Sequence, residues 1–202
     1  RSRFIEPIRI RAGIAFWQQY QAELQRAQAQ FGVPAEIIAG VIGVETIYGR
    51  YTGNFRVLDV LTTLSLDFPT GRSDRSPFFK KELGAFLKLC AEQQLAPDAV
   101  LGSYAGAIGW PQFMPSSIRR WGVDFDGDGQ VNLQRSPVDA IGSVAHYLAE
   151  HGWRTGQPTY FDVTPPEDAA ARAKLLAPDI VPSFSADEMR ALGAILPDAA
   201  MQ

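Results

Sequence analysis

The sequence is sparing in the residues that usually announce chemistry. It holds one cysteine, Cys90, and two histidines, His146 and His151, among 202 residues. A lone cysteine excludes an internal disulfide and any cysteine-based metal site; between Leu89 and Ala91 it reads as a small core residue. The histidines lack the spacing of a zinc pair and read as surface or capping groups. A basic excess is absent as well. With a net charge of −3, nothing favours the phosphate backbone, so nucleic acid is excluded as a partner. No apolar run outlasts residues 37–44, well short of the ~20 residues that span a bilayer. Neither a Gly-x-Ser-x-Gly elbow nor a phosphate loop occurs, which leaves esterase and nucleotide chemistry without support. The first residue is Arg1 and no signal-like segment is present, so the chain is expected to be processed or cut from something longer.

What is present is a helical pattern. Residues 13–31 carry apolar groups at Phe16, Trp17, Tyr20, Leu24, Ala27 and Phe31, which is helical spacing. A second helix is expected over 34–48, opened by Pro34 and closed by Gly49. A short one is expected over 59–65 and a longer one over 78–94. In 137–151, Val138, Ile141, Val144, Ala145 and Leu148 share a face. Between them, 102–121 mixes glycine, proline and aromatics, as short helices joined by tight loops would. Beyond Trp153 the chain turns rich in alanine and proline. A strand is expected at 160–163, a helix at 167–176, and another helix behind the capping box of Ser185 and Glu188. The division expected is a mainly α domain over 1–154 and a partial second unit over 155–202.

Glu45 stands out in this pattern. It is the one charge in the stretch 37–49, with Val41, Ile42, Tyr48 and Gly49 one turn away. Apolar surroundings penalise the ionised carboxylate and raise its pKa, as a general acid near neutral pH requires. The plain alternative is a glutamate at a helix end whose head reaches water.

The second feature is acidic. Asp124, Asp126 and Asp128 fall at positions one, three and five of an EF-hand-like loop, Gly129 at six, and Val131 at eight. Three carboxylates this close repel unless a cation neutralises them. Gln130 would add its backbone carbonyl. The usual closing glutamate, however, would be at Arg135. The next acid is Asp139, in a Ser136-Pro137-Val138-Asp139 helix start where it can cap and ligate together. A structural Ca2+ is expected, held by Asp124, Asp126, Asp128, Gln130 and Asp139, with no cofactor for catalysis.

Third, residues 102–117 combine small residues with Trp110, Gln112, Phe113 and Met114. Flat apolar faces beside an amide that both donates and accepts suit a sugar; close helix packing accounts for the same composition.

Taken in order, Val44-Glu45-Thr46 with Tyr48-Gly49, then Gly102-Ser103-Tyr104-Ala105-Gly106, then Gln112-Phe113-Met114-Pro115-Ser116-Ser117, the acidic loop, and Asp139-Ala140-Ile141-Gly142-Ser143 through Tyr147 resemble the B-type lytic murein transglycosylases. The resemblance covers roughly residues 4–155. It implies a lysozyme-like helical catalytic domain with the metal loop at 124–139. It implies that Glu45 is the single catalytic acid and base, and that Ser103, Gln112 and Tyr147 line the site. Phe113 and Met114 would form part of a sugar-binding wall. Arg72 or Arg75, in a stretch longer than the family's, would reach the substrate's acidic groups. The family's calcium loop also ends on a later Asp, which favours Asp139. Two family segments, a Tyr ahead of Arg3 and an aromatic stretch near the C-terminus, have no counterpart here, so the expected site lacks two walls.

The activity so implied is cleavage of the β-1,4 bond between N-acetylmuramic acid and N-acetylglucosamine in peptidoglycan, leaving 1,6-anhydromuramoyl ends. The alternatives are a hydrolytic muramidase on the same scaffold and a non-catalytic, calcium-stabilised cell-wall-binding module. A monomer in the periplasm or cell envelope is expected; attachment through a lipid anchor ahead of Arg1 and a soluble form both stay open.

Overall fold

A computed structural model of the chain describes residues 5–71, 73–177 and 182–201. It is mainly α: nine α-helices among the described residues, against one two-stranded ribbon. The chain divides into two compact units, Arg1–Thr155 and Gly156–Gln202. No single described helix is long and apolar enough to cross a membrane.

The first unit is built around two buried helices. In α3 (Ala35–Thr46), Ala35, Ile38, Ala39, Ile42 and Thr46 are buried at helical spacing. In α7 (Pro137–Glu150), every residue from Asp139 to Ala145 is buried, as befits a helix surrounded by others. Ser136 caps α7 by accepting from Asp139 N–H at 3.1 Å. The helix expected over 13–31 is two, α1 (Pro7–Gln19) and α2 (Gln21–Phe31), broken at Tyr20. The periodicity spans the break because Phe16, Leu24 and Ala27 still enter one core. Next, α4 (Val57–Leu66) packs on α5 (Ser76–Glu92), and α5 on α6 (Pro115–Trp121). Cys90 is buried in that core, as its setting predicts.

Both ends of the helix carrying Glu45 differ from expectation. Pro34 is its N-cap residue, extended at ψ 138°, and helical geometry starts at Ala35. The helix stops at Thr46 because Ile47, Tyr48 and Gly49 all take left-handed φ values, 52°, 56° and 79°. A ribbon that the sequence does not announce follows: β1 (Phe55–Arg56) pairs antiparallel with β2 (Leu101–Gly102). Strands of two residues are too short to show alternation.

The second unit holds α8 (Ala169–Leu175) and α9 (Ala186–Ala191). Asp168 caps α8, accepting from Ala171 N–H. The capping box of Ser185 and Glu188 is formed in both directions at the start of α9. Residues 160–163 are not a strand; the backbone instead makes a single antiparallel bridge between Thr164 and Ile195.

Candidate active site

Glu45 is the penultimate residue of α3, and its side chain is exposed. It has no hydrogen-bond or ion-pair partner among the described residues. Its pKa is nevertheless raised, and desolvation is the cause. The two facts are compatible: the carboxyl is open to water on one side, while nearby protein displaces part of the solvent that would stabilise its charge. The direction is the one its apolar neighbours predict; the exposure is that of a helix-end glutamate.

Past the left-handed turn, residues Arg50 to Phe55 line an open cleft of about 460 Å³, together with Ser103, Tyr104 and Gln112. Ser103 Oγ accepts hydrogen bonds from Ala105 N–H at 3.2 Å and Ala107 N–H at 3.0 Å. Its own proton is left to donate into the cleft. Gln112 is the converse. Its Nε2 donates to Thr52 O at 3.1 Å and Gly109 O at 2.9 Å, so both amide protons are engaged and Oε1 is the group left to accept. Gln112 holds this pose with a left-handed φ of 51°, a conformation seldom adopted unless its surroundings enforce it. The cleft therefore offers one polarised donor, one fixed acceptor, and the exposed rings of Tyr51, Phe55 and Tyr104, the last 78% exposed.

No carboxylate lines this cleft. A second groove, about 230 Å³, is bordered by Arg9, Ile10, Gly40, Gly43, Val44 and Tyr48. Along the chain, Glu45 falls between Val44 and Tyr48 of this groove, and the cleft residues begin at Arg50. A more enclosed cavity, about 250 Å³, lies between the end of α5 and residues 130–135. Phe86, Leu89, Ile118 and Leu133 line it and no acid does, so it offers nothing for bond cleavage.

Of the residues singled out by sequence, Ser103 and Gln112 meet in the cleft. Phe113 does not. It is 7% exposed and belongs to the core, turned inward by its backbone bridge to Ile108 and facing the Tyr147 ring at 5.1 Å. Met114 is half-buried against the same core. Tyr147 joins an aromatic group with Trp121 and His151 and stacks on His151 at 3.9 Å. Arg75 is exposed and lies over the Phe78 ring at 4.8 Å. Arg72 falls outside the described residues. Arg50, Tyr51, Asn54, Phe55 and Tyr104 share the cleft without having been singled out. The signal for all but Tyr104 was the glycine- and aromatic-rich stretch 49–55, directly after the helix of Glu45; Tyr104 follows Ser103 in the 102–106 motif.

In the acidic loop, Asp124, Asp126 and Asp128 bring carboxylate oxygens within 4.8 Å of one another. The loop is shaped by its own carboxylates: Asp124 accepts from the amides of Gly127, Asp128 and Gly129, and Asp128 from that of Gln130. Gly129 has φ 92°, where any other residue would be strained. An all-oxygen, exposed set of this kind fits a hard cation such as calcium. Asp139 is outside this group of three. It is 1% exposed, and its oxygens accept from Phe125 N–H at 2.8 Å, Asp126 N–H at 3.3 Å and Asn132 N–H at 2.7 Å. It thus closes the loop through backbone amides. Burial raises its pKa, while those three amides oppose the shift.

The sequence model of the Transglycosylase SLT domain family matches residues 1–200, and the chain belongs to that family. Within it, the chain is one of the B-type lytic transglycosylases. Membrane-bound lytic murein transglycosylase B of Escherichia coli (strain K12) is 49% identical over 156 residues, 77% of this chain and 42% of that protein. Soluble lytic transglycosylase SltB1 from Pseudomonas aeruginosa superposes with a TM-score of 0.87 at 48% identity, covering 97% of this chain and 64% of that one. The Escherichia coli lytic transglycosylase SLT35 in complex with calcium gives a TM-score of 0.82 at 42% identity, covering 96% and 59%. The chain thus spans less than two thirds of the length of each of these relatives, and its helical unit is of their lysozyme-like class.

Proposed function

We propose that this chain cleaves peptidoglycan glycan strands as a lytic transglycosylase, with Glu45 acting alone as acid and then base. The observation that carries the reading is a solitary carboxylate of raised pKa, next along the chain to a cleft that has no second carboxylate. Most glycosidases need a pair. One suffices when the substrate carries its own nucleophile. Protonated Glu45 would give its proton to the oxygen between the muramoyl C1 and the next sugar as that C1–O bond breaks. The carboxylate would then take the proton of the muramoyl C6 hydroxyl, whose oxygen bonds to C1. Glu45 ends protonated as it began, the product is a 1,6-anhydro sugar, and no water is consumed. The internal nucleophile supplies proximity in place of a second activated group.

Ser103 as donor and Gln112 as acceptor suit the two ends of an acetamido group, and the exposed rings of Tyr51, Phe55 and Tyr104 suit sugar faces. Met114, Tyr147, Arg72 and Arg75 keep their proposed roles around the substrate, while Phe113 would back the wall from the core. Asp124, Asp126, Asp128 and the carbonyl of Gln130 would hold calcium, with Asp139 closing the loop behind them; the ion would neutralise the three carboxylates. In this reading Arg1–Thr155 is the catalytic unit, Gly156–Gln202 is part of a larger second one, and the protein works in the cell envelope.

Glu45→Gln is expected to abolish turnover of purified murein and leave the fold intact. Mass spectrometry of the muropeptides should show anhydro ends from the wild type. Products one water heavier would make it a muramidase, and binding without either product would make it a cell-wall-binding module.

A further inference from the structure

Thr46 is fully buried, 0% exposed, beside the carboxylate on which the proposed function rests. A threonine inside a helix ordinarily gives its hydroxyl proton to the carbonyl one turn back. Here that contact, to Ile42 O, is 3.3 Å, while Trp110 O lies at 2.9 Å. One proton serves one acceptor well, and the shorter contact is across to Trp110. The oxygen in turn accepts from Gly49 N–H at 3.0 Å. The backbone carbonyl of Thr46 accepts from Tyr51 N–H at 3.0 Å.

One residue thus joins the last turn of α3, the left-handed turn behind it, and the Trp110–Gln112 turn of the cleft. The left-handed turn behind α3 is strained: Ile47 is β-branched and has φ 52°, a conformation that persists only when its surroundings hold it. Gly49 lets the Trp110 ring close over it, since a Cβ there would come within 2.6 Å of the indole.

We propose that Thr46 is the positioning residue of Glu45: its hydroxyl fixes the end of α3 against the cleft, so that the carboxyl meets the bond held there. Thr46 touches no substrate. It acts through Glu45, and so depends on the reading of Glu45 given above.

Thr46→Val keeps the shape and removes the hydroxyl; Thr46→Ser keeps the hydroxyl. On purified glycan strands, Thr46→Val is expected to lose about a hundredfold in kcat with KM changed less than about threefold. Thr46→Ser should recover most of that loss. The alkaline limb of the kcat–pH profile should move in the valine variant and stay in the serine variant. A merely structural role gives the opposite: activity tracks the folded fraction in every variant, and the limb stays put. That result overturns the proposal. Should Thr46→Val not fold, Thr46→Ala compared with Thr46→Ser below their melting temperatures makes the same test. Activity that survives in Glu45→Gln overturns the reading of Glu45 itself. Activity lost there but kept in Thr46→Val overturns only the role of Thr46.

Discussion

A carboxylate whose pKa is raised by desolvation costs the folded state something, and Glu45 makes that cost measurable. Below its ordinary pKa of 4.5, Glu45 is protonated whether the chain is folded or unfolded, and desolvation costs nothing. Above its raised pKa it is ionised in both states, and the folded state carries the full desolvation penalty. Wild-type stability should therefore fall as pH rises between those two values. Glu45→Gln cannot ionise and escapes the loss. Thermal unfolding should give the glutamine variant the higher Tm at pH 7, with the gap closing as pH drops below the ordinary value. A gap independent of pH would mean that Glu45 is not desolvated. With Glu45 as the proposed acid, the same raised pKa should place the alkaline limb of kcat above the ordinary carboxylate value. The odd chemistry of this residue was legible in sequence, from a charge among apolar neighbours. Its lack of a partner among the described residues was not, because partners come from elsewhere in the chain.

Among the elements, α6 shows how a buried charge can organise a neighbour. Glu82 on α5 is buried, and its carboxylate accepts from Ser116 N–H at 3.0 Å and Ser116 Oγ–H at 2.6 Å. A helix start needs acceptors for its free amides, and here a different helix supplies one. Glu82→Ala should destabilise the protein by about 1.5–3 kcal/mol in urea unfolding, the scale of a hydrogen bond to a charged group. Glu82→Gln should lose less, since one acceptor remains. Nothing in the sequence around Glu82 marks it, because its spacing in α5 is that of a core position and its partner is far away in the chain. Local chemistry was easier to read. Ser136 before Pro137 starts α7, and Ser185 with Glu188 starts α9, because both ends of each interaction lie within a few residues. The end of α3 departs from the sequence expectation for the same kind of reason. Gly49 does take the left-handed conformation that a helix stop favours, but Ile47 and Tyr48 take it first, held by Thr46 and Trp110.

At the scale of the whole molecule, the acidic loop and the cleft are joined. Leu133, in the second half of the 124–139 loop, accepts from Trp110 N–H at 2.9 Å, and Gln134 donates to Leu101 O at 3.0 Å. Trp110 is also the acceptor of Thr46, and Leu101 belongs to β2, paired with the ribbon strand that carries Phe55. Calcium bound at Asp124, Asp126 and Asp128 should therefore stabilise the unit that holds Glu45. An ion at a hundredfold excess over its Kd adds about 2.7 kcal/mol, so a chelator should lower Tm and added Ca2+ restore it. Asp126→Asn should remove most of that calcium response. A Tm insensitive to both would count against the loop as a metal site. By itself the sequence determined the helical class, the acidic loop, the family and the apolar setting of Glu45, because periodicity, residue spacing and motif order are properties of neighbours along the chain. Only the tertiary structure decided that Phe113 turns into the core, that Tyr51, Phe55 and Tyr104 face the cleft, that Ser103 is left to donate and Gln112 to accept, and that Asp139 is occupied by backbone amides. Each of these depends on which distant backbone groups claim a side chain's protons and lone pairs, and on which of its faces the rest of the chain covers.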